Sequence, residues 1–91
     1  MRSLQVTGTA IDLATQNSPF DAGSTVVAIN FSAESDVVVQ GSVDEAFTVP
    51  VDLATLAARG VSGSVVEVTL TYQYVRVNSY DGVAQLTFLA D

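Results

Sequence analysis

The stretch SVVEVTLTYQYVRV, residues 64–77, decides the fold class, because it alternates apolar and polar residues over an unusual length. One predicted face is apolar and aromatic: Val66, Val68, Leu70, Tyr72 and Tyr74. The other face is mostly polar, with valines at its ends: Val65, Glu67, Thr69, Thr71, Gln73, Val75 and Val77. Successive side chains of a strand point to opposite sides of a sheet. The pattern therefore predicts one long, half-buried antiparallel strand.

Shorter alternating segments surround this strand. STVVAINFS, residues 24–32, places Val27, Ile29 and Phe31 on one face, and a polar turn separates it from VVVQGS, residues 37–42. NSYDG, residues 78–82, supplies turn residues between the long strand and VAQLTFLA. Each arrangement predicts a β-hairpin.

The remaining segments add strands at the edges. SLQVTG and TAIDL predict one bent strand or two short ones, interrupted at Gly8. AFTVPV predicts an edge strand, because Pro50 cannot donate a ladder hydrogen bond. The 91 residues therefore predict one all-β domain, residues 1–91, a small antiparallel sandwich or barrel of about six to eight strands.

One segment, DLATLAARG, breaks the β pattern. Asp52 is a suitable N-cap, Leu53, Leu56 and Ala57 share a helical stripe, and Gly60 is a suitable stop. These features predict one short helix near residues 52–59.

The letters DLAT occur at residues 12–15 and again forty positions later, at 52–55. At the same offset a Gly-Ser pair opens a Val-containing strand twice, at residues 23–24 and 63–64. A Ser-x-Asp match between Ser42 and Ser79 requires a shorter offset. The spacing predicts a two-fold internal repeat with units 5–44 and 45–91. Chance similarity in a sequence rich in Val, Ala and Thr remains the alternative.

The charge is strongly acidic: ten carboxylates and three arginines, with no lysine or histidine, give a net charge of −7. Nucleic acid and anionic membranes are therefore excluded as expected partners, because both require clustered positive charge. The chain is also 48% hydrophobic with a mean hydropathy of +0.40, although a domain of this size has a thin core. This favours a homo-oligomer or a larger protein assembly that covers apolar surface, and a well-filled sandwich is the alternative.

The residue types leave little for catalysis. Without His, Cys or Lys there is no Ser-His, Cys-His or Schiff-base site, and close carboxylates in turns usually point apart. Asp44, Glu45 and Asp81 carry the oxygen ligands that calcium prefers, but their spacing matches no recurring calcium loop. We therefore predict a non-enzymatic protein without a cofactor or a structural metal.

Candidate interface residues come from two regions. Phe20 in NSPFDAG and Tyr80 in NSYDG lie among turn residues, where a ring can anchor a partner or fold back over the core. Leu4 and Val6 are candidate anchors in the N-terminal segment, and Arg76 completes the set. Tyr72 and Tyr74 are assigned to core packing.

Three features together carry a resemblance to a known family. They are a composition rich in Val, Thr and Ala without Lys, His, Cys or Trp, the segment DLATLAARG, and the ending YVRVNSYDGVAQLTFLAD. The sequence resembles the small all-β decoration (cement) proteins and related virion components of tailed bacteriophages. The resemblance implies a capsid-bound structural protein, a symmetric cluster, and contact through an edge strand and apolar burial. It also implies a virion location after synthesis in the host cytoplasm, and MRSLQVTG lacks the apolar segment of a signal peptide.

A carbohydrate- or calcium-binding β-sandwich module of a larger extracellular protein is the alternative function. Sugar sites usually present an exposed Trp or Tyr, and Trp is absent.

Overall fold

The computed structural model describes residues 2–15, 18, 20–30, 36–58, 64–79 and 85–90. These residues form eight strands: β1 (Arg2–Thr7), β2 (Ile11–Asp12), β3 (Thr25–Asn30), β4 (Val37–Ser42), β5 (Val51–Leu56), β6 (Ser64–Thr69), β7 (Tyr74–Ser79) and β8 (Gln85–Ala90). No helix occurs in this described part of the protein. The predicted all-β class is confirmed.

The strands form two four-stranded antiparallel sheets. Sheet A has the order β1-β8-β3-β6, and sheet B has the order β2-β7-β4-β5. Every connection except that from β4 to β5 therefore passes from one sheet to the other. This is the connectivity of a jelly roll, a sandwich built from two Greek keys.

One hydrophobic core lies between the sheets. Sheet A contributes the even-numbered side chains Val6, Val26, Ala28, Val68, Leu86 and Phe88, and sheet B contributes Val37, Val39, Leu56, Val75 and Val77. Connecting segments add Leu13, Phe20 and Leu70. Valine is common here because a β-branched side chain packs well on a pleated surface.

The predicted long strand is two strands in different sheets. The backbone N–H of Thr71 donates to the carbonyl of Thr69 at 3.0 Å, a tight turn that bends the backbone just after β6. Leu70 stays buried, and its N–H donates to the carbonyl of Ser24. Beyond the bend the buried side chains are Val75 and Val77. The predicted apolar face is therefore correct up to Leu70 and wrong after it.

The predicted helix near residues 52–59 is wrong, because Val51–Leu56 is strand β5. Its pairing with β4 contains an irregularity: Ala54 lies opposite Val39 and Asp52 opposite Gln40, which leaves Leu53 as an extra residue. Leu53 and Ala54 consequently both pack against the core. The bulge therefore places Leu53 and Leu56 on the same side, and this spacing imitates a helical stripe.

Both predicted hairpins are also wrong. β3 and β4 lie in different sheets, and so do β7 and β8. In contrast, two short strands flank Gly8, as one alternative proposed. The edge strand predicted over AFTVPV is misplaced, because residues 46–50 belong to the loop that contains the left-handed Phe47, and β5 begins only at Val51, at the edge of sheet B.

The predicted repeat has a counterpart in the strand order. β3 and β6, equated by the forty-residue offset, are neighbours in sheet A, and β4 and β7 are neighbours in sheet B. The DLAT segments themselves differ. Residues 12–15 end β2 and form a turn, whereas residues 52–55 lie within β5. The duplication stays a prediction.

Candidate functional site

Leu4 and Val6, predicted as anchors, have side chains that face the core. Val6 is fully buried opposite Leu86, and Leu4 packs against the core opposite Phe88. Neither side chain is placed to reach a partner. β1 is nevertheless an edge strand of sheet A, so its backbone is open to contact along that edge.

Phe20 was predicted either to anchor a partner or to fold back over the core. In the structure its loop folds the ring over the core. Only 1% of its surface is exposed. The Ser18 hydroxyl donates to the Phe20 carbonyl at 2.7 Å, and the Arg2 guanidinium carbon lies 5.3 Å from the ring centre. Phe20 is therefore a core residue, and we correct its assignment as an exposed anchor. Tyr80 lies outside the described residues.

Arg76 lies on the outer side of sheet B, at the centre of a row of polar groups. Its Nε donates to Gln40 Oε1 at 3.0 Å, and Gln40 Nε2 donates to Asp52 Oδ1 at 2.9 Å. The guanidinium carbon lies 4.2 Å from the centre of the Phe47 ring. These contacts hold a half-buried arginine by stacking on one side and hydrogen bonding on another.

The loop between β4 and β5 is ordered by Asp44. Its Oδ1 accepts hydrogen bonds from the Ser42 hydroxyl and the Thr48 N–H, and its Oδ2 accepts from the Thr48 hydroxyl at 2.6 Å. The bonds from Thr48 and Ser42 lower the pKa of the Asp44 carboxyl below its ordinary value. Phe47 has a positive φ of 52° and is buried beneath Arg76. Left-handed backbone is unusual for a bulky residue, so surrounding contacts must stabilise this geometry.

The same loop exposes two valines. Val43 is 74% exposed and Val49 is 70% exposed. Single exposed valines are common on protein surfaces. Here they belong to a loop whose conformation is set by Asp44 and Phe47, so their positions are defined.

The outer face of sheet A is the side of that sheet turned away from the core, and the sequence pattern did not identify it as a surface. Its apolar members are Val27, Ile29, Val65 and Leu89. Val65 lies opposite Ile29 on the neighbouring strand, and Val27 lies opposite Leu89. The exposed fractions are 60% for Val65 and 37% for Val27. The four side chains therefore form a connected apolar group across the neighbouring strands β6, β3 and β8.

Charge is scarce on this face. Its described polar members are mainly serine, threonine and glutamine: Ser3, Gln5, Thr7, Thr25, Thr69 and Thr87. Glu67 is its one charged side chain among the described residues of the four strands. For a protein with a net charge of −7, this is an uneven distribution.

A sequence signal for this surface did exist. The segment TVVAIN is apolar on both faces, so alternation alone does not decide which face is buried. Val27 and Ile29 were grouped correctly on one face, but that face is the outer one. The buried positions are Val26, Ala28 and Asn30.

The described residues contain no group of three or more side chains that could hold a metal ion. Asp44, one of the calcium candidates, already has both carboxylate oxygens bonded within its own loop. Asp81 lies outside the described residues. Across the part of the protein that the structure describes, no helix could span a membrane.

Comparisons with known proteins do not extend these observations: no protein-family model, curated protein or solved structure matches the sequence. The surfaces of the protein are therefore the basis for assigning a function. The fold alone is insufficient, because one architecture serves many unrelated functions.

Proposed function

We propose that this protein is a non-enzymatic structural component that binds other protein subunits, most specifically a decoration (cement) protein on the capsid of a tailed bacteriophage. The sequence resemblance supports this proposal. The jelly-roll connectivity is compatible with it, since jelly rolls occur in viral capsid proteins as well as in lectins and cupins.

The outer face of sheet A is the observation that carries the proposal. Val27, Ile29, Val65 and Leu89 form its apolar centre, and neutral polar side chains surround them. An apolar centre with a polar rim is the usual organisation of a protein interface. Because Glu67 is the one described charge there, docking would desolvate few carboxylates of this acidic protein.

The edge of the same sheet offers a second element of contact. β6 is an edge strand, and Val65 on it is exposed. β5, at the edge of sheet B, carries features that oppose strand addition: a preceding proline, a bulge and the charged Asp52. Strand addition to β6 would extend sheet A and continue its apolar outer face into the partner.

This surface suits a second copy of the protein as well as a capsid subunit. Neutral faces that meet keep most carboxylates of the two copies apart, so the net charge opposes association only weakly. Decoration proteins would then form small symmetric clusters at subunit junctions, and burial of apolar area would supply the affinity.

Co-sedimentation with phage heads assembled without the protein tests the proposal. The wild-type protein should bind, and binding should persist at high salt because burial rather than charge drives it. Val65→Asp should abolish co-sedimentation while the melting temperature stays near that of the wild type. Val27→Thr should weaken co-sedimentation with a similarly small effect on melting, because it keeps the β-branched shape and adds no charge opposite Glu67. Val43→Asp is the matched control, because it alters an exposed valine outside the face.

Sedimentation velocity over a range of concentrations tests self-association in parallel. We expect a concentration-dependent oligomer that Val65→Asp dissociates. A protein that stays monomeric at high concentration and does not bind heads would contradict the proposal.

A further inference from the structure

The outer side of sheet B carries an arginine whose position is set from two directions. Arg76 Nε donates to Gln40 Oε1, and the amide of Gln40 is oriented in turn by its bond to Asp52. The guanidinium group also lies over the buried Phe47 ring, 4.2 Å from its centre. An arginine on a surface normally loses rotamer freedom when it binds, but here that ordering is already present.

Within the part of the protein that the structure describes, the terminal nitrogens of this guanidinium group have unused hydrogen-bond donors. Among the described residues, none accepts a hydrogen bond from the two terminal nitrogens of Arg76, and no carboxylate lies within ion-pair distance. Asp52 is linked to Arg76 only through Gln40. The two terminal nitrogens of a guanidinium group form a planar fork that matches the two oxygens of a carboxylate.

Packing against Phe47 does not by itself require this arrangement. A long apolar residue at position 76 would cover the ring equally well, without the cost of partly burying a cation. Gln40 and Asp52 instead orient the charged group through hydrogen bonds, which an apolar cover for the ring would not need. These contacts hold the guanidinium group in place before an anion binds to it.

We propose that Arg76 is a binding site for a single carboxylate of a polypeptide, either an Asp or Glu side group or the C-terminal carboxylate. A polyanion does not suit the site, since the protein has a net charge of −7 and would repel it. The loop that supplies Phe47 also exposes Val43 and Val49. An apolar residue beside the carboxylate therefore suits this surface, which favours a peptide over an acidic sugar.

The site faces away from the outer face of sheet A, because the two sheets pack against each other through their inner sides. A protein bound to a capsid through sheet A would thus present Arg76 on its other side. The inference does not depend on the proposed function, and it can be tested on the isolated protein.

Arginine side-chain NMR provides a direct test, because the protein has three arginines and therefore three Nε–Hε signals. Loss of one signal in Arg76→Lys assigns it. N-acetyl-valine mimics a C-terminal carboxylate beside an apolar residue, and N-acetyl-aspartate α-amide mimics an Asp side group. N-acetyl-valine amide, at matched ionic strength, is the neutral control.

We expect at least one carboxylate probe to move the Arg76 signal saturably while the signals of Arg2 and Arg59 stay nearly constant. The probe that binds more tightly identifies the source of the carboxylate. Gln40→Leu, which releases Nε and disorders the arginine, should weaken binding about two- to tenfold, the cost of ordering one long side chain. Arg76→Lys keeps the charge but lacks the fork, so backbone signals around position 76 should no longer respond saturably.

Three results would overturn the inference. The Arg76 signal does not move with either carboxylate probe, all three arginine signals move together, or the neutral amide has the same effect as the acid. The titration with these probes alone decides whether Arg76 binds carboxylates.

Discussion

The side-chain amide of Asn30 donates a 2.8 Å hydrogen bond to the backbone carbonyl of Ala57, which joins the end of β3 in sheet A to the segment that leaves β5 in sheet B. Asn30 is fully buried on the inner side of sheet A. Close by, the N–H of Ala58 donates to Asp36 Oδ1 at 2.7 Å. This end of the sandwich is therefore held by specific polar contacts in addition to apolar packing.

Asn30→Ala should destabilise the protein by about 1–3 kcal/mol, because it truncates a fully buried side chain and removes its part-buried hydrogen bond to the Ala57 carbonyl. Chemical denaturation of the variant and the wild type measures the difference in the free energy of unfolding. Asn78→Ala, at an exposed position of β7, is the control and should be close to neutral. Equal effects at the two positions would show that the link between the sheets contributes little.

Asp12 should contribute more to the stability of the protein than Asp52 does. A helix cap at residue 52 would give the opposite order. Asp12 Oδ1 accepts hydrogen bonds from the Ala14 N–H and from Gln73 Nε2, whereas Asp52 accepts one from Gln40 at an exposed position. Asp12→Ala should therefore cost about 1–2 kcal/mol and Asp52→Ala about 0.5 kcal/mol. Thermal melts of both variants measure the order, and a larger loss for Asp52→Ala would favour the helix.

Asp44 should make stability depend on pH in the acid range. Its folded-state pKa is lowered by hydrogen bonds from Thr48 and Ser42, so the ionised carboxylate stabilises the fold above its ordinary pKa of 3.8. That contribution is lost as the pH falls through the lowered folded-state pKa. Denaturation of wild type and Asp44→Asn from neutral pH to about pH 2 should give a stability difference that shrinks in acid.

Val43→Ala is the control for this titration, since Val43 is an exposed side chain without an ionisable group in the same loop. Its difference from the wild type should vary little with pH across the same range. A constant difference for Asp44→Asn as well would mean that the loop is not held by the charge.

Phe20→Ala should act on the fold itself. The ring is 1% exposed within the core cluster, so its removal should cost about 3–5 kcal/mol through lost burial and a cavity. Val43→Ala is the matched control, because its side chain is 74% exposed and the change should be almost neutral. Urea denaturation compares them, and a small loss for Phe20→Ala, together with weaker association, would restore Phe20 as an interface anchor.

Surface features were less predictable than the core. Arg76 was selected from the sequence, but nothing in the order of residues indicates that Gln40, Asp52 and Phe47 surround it, because these contacts come from β4, β5 and their loop. The outer face of sheet A was missed for a related reason. Val27 and Val65 become neighbours of other exposed apolar residues only when β3 pairs with β6 and β8.

The sequence by itself determined the all-β class, the acidic charge and many buried positions, including Val68, Leu70, Leu86 and Phe88. These positions follow from alternation along short segments, which depends on neighbouring residues alone. Only the tertiary structure decided that the run through Leu70 bends into a second sheet and that DLATLA is a bulged strand. The cause is that pairing in a jelly roll is almost entirely between strands distant in sequence, so contacts with those strands override the local pattern.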